Sequence, residues 1–430
     1  MKGIKHILVF FLLSLSEAVF ALMPFRGAWI ATVANIDWPS SEAVGNSELQ
    51  QEEMIFILDS LHSIGINAIV FQVRPTADAL YYSEYEPVSH WLTGRQGEWK
   101  QPHPTSPQGE ETDFQIPWDP LQWTIEQAHQ RGMEVHVWLN PYRLNIAKTD
   151  TSEICADHIW RKHPEWFFEY NKQWYFDPGL PITRAWICTI VQDIVDRYDI
   201  QAVHMDDYFY PYPVKGKPLP DAATFAQYPR GFTDIHDWRR NNVNLAIQEI
   251  HQTIQECKPD VEFGISPFGV WRNASVDPTG SATQASITNY DDLYADIRLW
   301  IREGWIDYVL PQLYWEIGKR VADYEVLAHW WANEVRGTNC KLYIGMAPYR
   351  LVESSKSKVE SSKSKVESGK SNPWATGNEI QRQMDLNRTI PEISGECFYS
   401  TRPLLRNPRG VCDSIKNMYS GIEEYALPWE

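Results

Sequence analysis

Positive charge is in short supply. The 430 residues carry 39 Lys and Arg against 56 Asp and Glu, a formal net charge of -17. A nucleic-acid partner demands a basic surface for its phosphates, so it is excluded, as is electrostatic docking to anionic lipid. Long apolar runs are also lacking. No stretch reaches the roughly 20 apolar residues that a spanning helix needs, so no membrane span is expected. Cysteine is sparse: Cys155, Cys188, Cys257, Cys340, Cys397 and Cys412 are widely and irregularly spaced, with no C-x-x-C. That excludes a zinc knuckle and a small disulfide-framework fold. Cys188 and Cys397 sit in apolar runs and read as small core residues. Several motifs are missing altogether. There is no G-x-S-x-G nucleophile elbow, no H-E-x-x-H, no H-x-H on a first strand and no Gly-rich phosphate turn after it. Serine-nucleophile, zincin and dinucleotide chemistry lose their support together, and no cofactor is implied.

What is abundant is aromatic: 20 Trp, 21 Tyr and 16 Phe. Most belong in a large core, but an excess of this size also suits sugar binding, where flat rings stack on the apolar faces of pyranoses. The opening, MKGIKHILVFFLLSLSEAVFALMPFRG, has Lys2 and Lys5, a short apolar run and small residues at Val19-Phe20-Ala21. This is the pattern of a secretory signal over residues 1–21. No Cys follows it, so a lipid anchor is not expected. The reading is an exported, soluble chain, periplasmic or extracellular.

From Phe25 onward, strand-like and helix-like segments alternate. The strands are FRGAWIATV, INAIVFQVRP, MEVHVWLNPYR, IQAVHMDDYFYP, VEFGISPFGVWR, IDYVLPQLYWE, KLYIGMAPYR and GECFYSTRPLL. Between them lie amphipathic stretches such as SELQQEEMIFILDSLHSIG, WDPLQWTIEQAHQRG, TRAWICTIVQDIVDRYD and YDDLYADIRLWIREGW. Eight such strands predict an α/β fold, a (β/α)8 TIM-type barrel, as one domain over residues 22–430. Residues 352–372 interrupt it. The unit V-E-S-S-K-S-K occurs twice and then decays. It is too polar to build a core and reads as a flexible tandem-repeat insertion.

Barrel enzymes take their catalytic groups from the C-terminal ends of the strands. In this chain those ends are polar and aromatic in strand after strand: Asp37 and Trp38; Arg74; Asn140, Tyr142 and Arg143; His204, Asp206, Asp207 and Tyr208; Trp271; Gln312, Tyr314, Trp315 and Glu316; Tyr349. Asp206 and Asp207 stand side by side, although neighbouring carboxylates repel and burying either is costly unless it is paired. Strand alternation puts His204 and Asp206 on one face and Asp207 on the other. If His204 faces inward, Asp206 points over the barrel axis. Glycosidases use two carboxyl groups. Asp206 supplies one, as nucleophile or base, and Glu316 is the candidate acid, with His204 and Asp207 tuning Asp206. Arg74 and Arg143 are expected to hold substrate oxygens. Trp38, Tyr142, Tyr208, Trp271, Tyr314, Trp315 and Tyr349 are expected to stack on sugars. The same residues leave two alternatives open. One is a non-catalytic glycan-binding barrel; the other is a metal-dependent hydrolase or deacetylase with His136, His204, Asp206 and Asp207 as ligands.

Six segments in order, FRGAWIATVANIDWPS, FQVRPTADALYYSEYEPVSHWLTGRQG, WDPLQWTIEQAHQRGMEVHVWLNPYR, VHMDDYFYP, FGISPFGVWRN and YVLPQLYWEIG, resemble the glycosyl-hydrolase-like family numbered ten. The resemblance runs over about residues 24–350. It implies a (β/α)8 barrel and an exported bacterial glycosidase acting on peptidoglycan strands stripped of their stem peptides. HMDD is also similar to the nucleophile strand of alpha-amylase-type barrels, where a basic residue stands two before the catalytic Asp. The chain departs from the family at the 352–372 insertion and is expected to lack the extra C-terminal β-domain of some members.

Overall fold

The computed structural model describes residues 25–98, 118–146, 151–351, 372–375 and 377–420. The expected signal segment lies outside them, as does all but the last residue of the repeat insertion. Among the described residues there are ten strands: β1 (Phe25–Ile30), β2 (Ala68–Arg74), β3 (Glu134–Leu139), β4 (Phe167–Tyr170), β5 (Gln173–Phe176), β6 (Ala202–Met205), β7 (Glu262–Ile265), β8 (Tyr308–Val309), β9 (Lys341–Met346) and β10 (Ile393–Phe398). All but β4 and β5 close into one parallel barrel in the order β1-β10-β9-β8-β7-β6-β3-β2. These are the eight strands that the sequence predicts. The ring closes where β10 pairs with β1, Phe25 opposite Gly395 and Gly27 opposite Cys397.

Alternation sorts the strand side chains into two cores. Phe25, Trp29, Val70, Trp138, Ala202, Tyr308, Leu310 and Tyr343 fill the barrel interior. Their neighbours, including Ile30, Ile69, Val137, Val203 and Ile344, pack outward against the helices. Because both faces are covered, β2 is buried at every position, which is why its sequence reads as a nearly continuous apolar run. Helix starts are fixed locally. Asp119 Oδ1 accepts the N–H of Leu121 (3.0 Å) and of Gln122 (3.2 Å) at the head of Pro120–His129, and Asp234 caps the long helix Ile235–Cys257.

Three segments differ from the sequence reading. YDDLYADIRLWIREGW is not one helix but two short ones, Asn289–Asp292 and Ile297–Arg302. Tyr294 takes a left-handed φ of 56°, and Asp296 caps a new start by accepting the Leu299 N–H. The stretch WFFEYNKQWYF forms a β4–β5 hairpin, which the sequence reading did not identify. Asn171 (φ 51°) and Lys172 (φ 68°) make its two-residue turn, with both central residues at positive φ. The hairpin leans on the barrel mouth, where the Phe176 N–H donates to the Tyr142 carbonyl at 2.8 Å. A helix not read from the sequence, Asn378–Asn387, lies between β9 and β10. All six cysteines are free thiols.

Candidate active site

The inward parity of each strand continues past its end. Gln72 on β2, Asn140 after β3 and Asp206 after β6 follow inward-facing Val70, Trp138 and His204. At the mouth they join hands. Gln72 Nε2 donates to Asn140 Oδ1 (2.6 Å), and Asn140 Nδ2 donates to Asp206 Oδ2 (2.5 Å). Asn140 Oδ1 also accepts from Arg143 Nη2 (2.9 Å), and the Tyr208 N–H donates to Asp206 Oδ1 (3.1 Å). Asp206 therefore sits in a ring of donors with a guanidinium nearby. Burial raises its pKa, and Arg143, the Tyr208 N–H and Asn140 oppose that rise without cancelling it.

Asp207 has a different environment. The Tyr212 hydroxyl donates to its Oδ2, and Gln312 Nε2 approaches its Oδ1 at 3.4 Å. Burial pushes its pKa up to about 7, the charge of Asp206 adds to the push, and Tyr212 and Gln312 oppose it. Two adjacent buried carboxylates cannot both ionise freely. The donors and Arg143 favour the charge on Asp206, and burial beside that charge favours the proton on Asp207.

Half-buried aromatics flank the pair. The Arg143 guanidinium lies 5.2 Å from the Tyr208 ring centroid. Tyr208 and Tyr212 meet at 5.4 Å, and Phe268 meets Trp315 at 5.4 Å. On the other side, Tyr314 lies 5.9 Å from both Tyr349 and Tyr399. Tyr212, Phe268 and Tyr399 were missed in the sequence. Tyr399 was legible there: it follows Cys397 on the inward face at the end of the eighth strand, the one strand end from which no candidate was drawn. Gln312 is held by the Ser266 carbonyl (2.9 Å) beside Asp207.

The remaining expected site residues lie elsewhere. Trp38 is fully buried, its Nε1 bonded to the Gln50 carbonyl (2.9 Å), and Tyr142 is likewise a core residue. Trp271 is buried against Trp330 (5.9 Å) with the Arg298 guanidinium 4.4 Å from its ring. None of the three presents a face to a sugar. Arg74 is fully buried and paired through both Nε and Nη2 with Glu86, each at 2.6 Å. It clamps the β2–β3 ends and has no reach to a substrate. Asp37 is raised to about 6 by burial. Both its oxygens are taken, by the Ala31 N–H on one side and by the Ser400 hydroxyl and Arg402 N–H on the other. His204 points inward as expected but lies below the mouth, bonded to Tyr308 and Ser266. Glu316 is the main departure. It pairs with Lys319 (3.0 Å) and accepts from Trp374 Nε1 (3.1 Å). Burial alone would raise its pKa, but Lys319 and Trp374 outweigh that and lower it. An ion-paired carboxylate is a poor proton donor. His136, His204, Asp206 and Asp207 do not converge as a metal set, since both imidazoles are committed inside the barrel. Among the described residues, no three His, Cys, Asp or Glu side chains are grouped to hold an ion. No helix among them is long and apolar enough to cross a membrane.

A model of the family described as glycosyl hydrolase-like 10 matches residues 24–363. The chain is 44% identical over 433 residues to a protein named glycosyl hydrolase YngK from Bacillus subtilis, covering 98% of this chain and 79% of that one. It is 38% identical over 390 residues to one named glycosyl hydrolase DigH from Escherichia coli K12, covering 87% and 82%. Among solved structures, the glycoside hydrolase domain of PgaB from Bordetella bronchiseptica superposes with a TM-score of 0.52 at 10% identity, covering 93% of this chain and 99% of that one. At that identity the likeness is one of fold.

Proposed function

This chain belongs to the glycosyl hydrolase-like 10 family and is a glycoside hydrolase; we propose that it is exported, that its substrate is a bacterial glycan, peptidoglycan strands bare of stem peptides, and that Asp206 and Asp207 carry the reaction. The observation that carries the catalytic assignment is the contrast between the two neighbouring carboxyls. Asp207, pushed up to about 7, is the general acid that protonates the departing sugar oxygen. Asp206, held by Asn140 and the Tyr208 N–H with Arg143 nearby, is the ionised partner, as nucleophile or base. Tyr208, Tyr212, Tyr314, Tyr349 and Tyr399 offer ring faces and hydroxyls to sugars on either side of the pair. The signal-like opening supports export, and the name of the Escherichia coli relative supports hydrolysis of a glycosidic bond.

The test is incubation with peptidoglycan freed of its peptides, alongside a panel of other polysaccharides, with mass analysis of the products. Cleavage of the bare strands alone is expected. Products from another polysaccharide, with none from bare strands, would overturn the substrate while leaving the catalytic pair to be judged by its own variants.

A further inference from the structure

Inside the barrel, five polar side chains form an unbroken row from the closed end to the mouth. Glu134 begins β3 at the bottom rim, and its Oε2 lies 3.3 Å from His136 Nε2. His136 Nδ1 lies 2.9 Å from Tyr308 Oη, and His204 Nδ1 lies 2.9 Å from the same hydroxyl. His204 Nε2 lies 2.9 Å from Ser266 Oγ. Ser266 stands at the mouth. Its N–H donates to the Met205 carbonyl, next to Asp206, at 2.8 Å. Its own carbonyl receives Gln312 Nε2, which also faces Asp207. Gly264 makes room for the row, since a Cβ there would sit 1.8 Å from Tyr308 Cζ.

Counting hydrogens gives the row a direction. An ionised carboxylate only accepts, so His136 Nε2 carries a hydrogen. In a neutral ring Nδ1 is then bare and accepts from the Tyr308 hydroxyl. That hydroxyl has a single hydrogen, so its oxygen must accept from His204 Nδ1–H. His204 Nε2 is left bare and accepts from Ser266. Burial, with His136 nearby, pushes His204 well below the ordinary histidine range, so its ring stays neutral. Adding one proton to the Glu134–His136 pair reverses every link above it. His136 Nδ1–H now donates to Tyr308, Tyr308 to His204 Nδ1, and His204 Nε2–H to Ser266. The change balances if each hydrogen crosses one link towards the rim and the extra proton enters at Ser266. The Ser266 hydrogen is then free to point into the mouth.

We propose that Glu134, His136, Tyr308, His204 and Ser266 form a directional relay in which the protonation of the rim pair sets the His204 tautomer and the role of the Ser266 hydroxyl beside Asp206 and Asp207. These are positioning residues. The relay stands independently of the reaction; its bearing on turnover rests on the roles proposed for the two aspartates. The charged and titratable groups facing it are few. At the rim Glu134 is near Lys341 and His129, and Lys341 pairs with Glu262. Within the barrel Tyr343 and Cys397 lie near Tyr308, and Phe25 and Trp29 pack on the two imidazoles.

Long-range proton–nitrogen NMR of nitrogen-15-histidine protein, with His136 and His204 assigned by single His→Gln variants, reads both tautomers directly. Above the pH at which the rim pair takes up its proton, His204 is expected in the Nδ1–H form. On acidification it should switch to Nε2–H without becoming charged, at the midpoint at which the rim pair is protonated. Tyr308→Phe should abolish the shared midpoint. Glu134→Gln, a change at the part-exposed rim, should move it to lower pH and move the acid limb of the kcat/KM profile with it. A His204 ring already Nε2–H at high pH, or one that does not follow the rim pair, overturns the relay. An acid limb identical in wild type and Glu134→Gln overturns its bearing on the site. Asp207→Asn tests the proposed acid separately, because it leaves the relay intact.

Discussion

A carboxyl that ionises at about 7 instead of 3.8 is a liability to the fold. Between those values the folded chain holds a proton at Asp207 that the unfolded chain releases, so stability falls as pH rises through the window. The fall is at most about 1.4 kcal/mol per pH unit. Asp207→Asn removes this slope. Its melting temperature is expected to gain on the wild type from about pH 4 to about pH 7 and to stay level above, read by thermal scans across that range. The same substitution should cost more than about 100-fold in kcat, as should Asp206→Asn. Normal turnover in Asp207→Asn would remove it as the acid. Glu316→Gln makes the opposite case. The carboxylate is spent on Lys319 and Trp374, so this variant should keep most of its activity in the product assay. A loss comparable to that of Asp206→Asn would return Glu316 to the catalytic pair. Neither environment was readable from sequence. Asp206 and Asp207 were visible as a costly pair, but which donors reach each depends on Asn140 and Gln312, which arrive from other strands, and on how the following loop folds Tyr212 back.

At the scale of elements, the mouth is built by strand ends that are tied sideways before any substrate arrives. Arg74 ends β2 and is bonded at once to Glu86, to the Asn140 carbonyl (2.7 Å) and to the Pro141 carbonyl (3.1 Å). Asn140, the donor to Asp206, is thus placed by a buried ion pair. Removing one partner of such a pair leaves a charge without compensation and costs about 3–5 kcal/mol. Glu86→Gln should lower the denaturation midpoint accordingly, and a near-normal midpoint would show that Arg74 finds another acceptor. The sequence marked Arg74 as a strand-end cation but gave no sign of Glu86, which follows it in a loop. Aromatic residues show the same division. Tyr314 and Tyr349 end inward-facing positions and reach the mouth, whereas Trp38 and Trp271, equally near a strand end in sequence, lie in the core outside the barrel.

For the molecule as a whole, the eight-strand pattern survives interruption by a hairpin and by the repeat. Deleting residues 353–370 should leave the melting temperature almost unchanged, because the repeat is polar and closure entropy changes by only about 0.6 kcal/mol per doubling of loop length. A drop of many degrees would show that the repeat packs on the barrel. The sequence by itself determined the barrel, its strands and the parity that puts His204 and Asp206 on one face, because period-two burial and helix caps are local properties of the chain. Only the tertiary structure decided what each strand-end side chain meets. It sank His204 into the interior beside Tyr308, brought the Trp374 N–H to Glu316, and set Asp207 beside Gln312. The physical reason is that a pKa and a hydrogen-bond partner depend on groups brought together from distant positions, and neither spacing nor composition records which of them will meet.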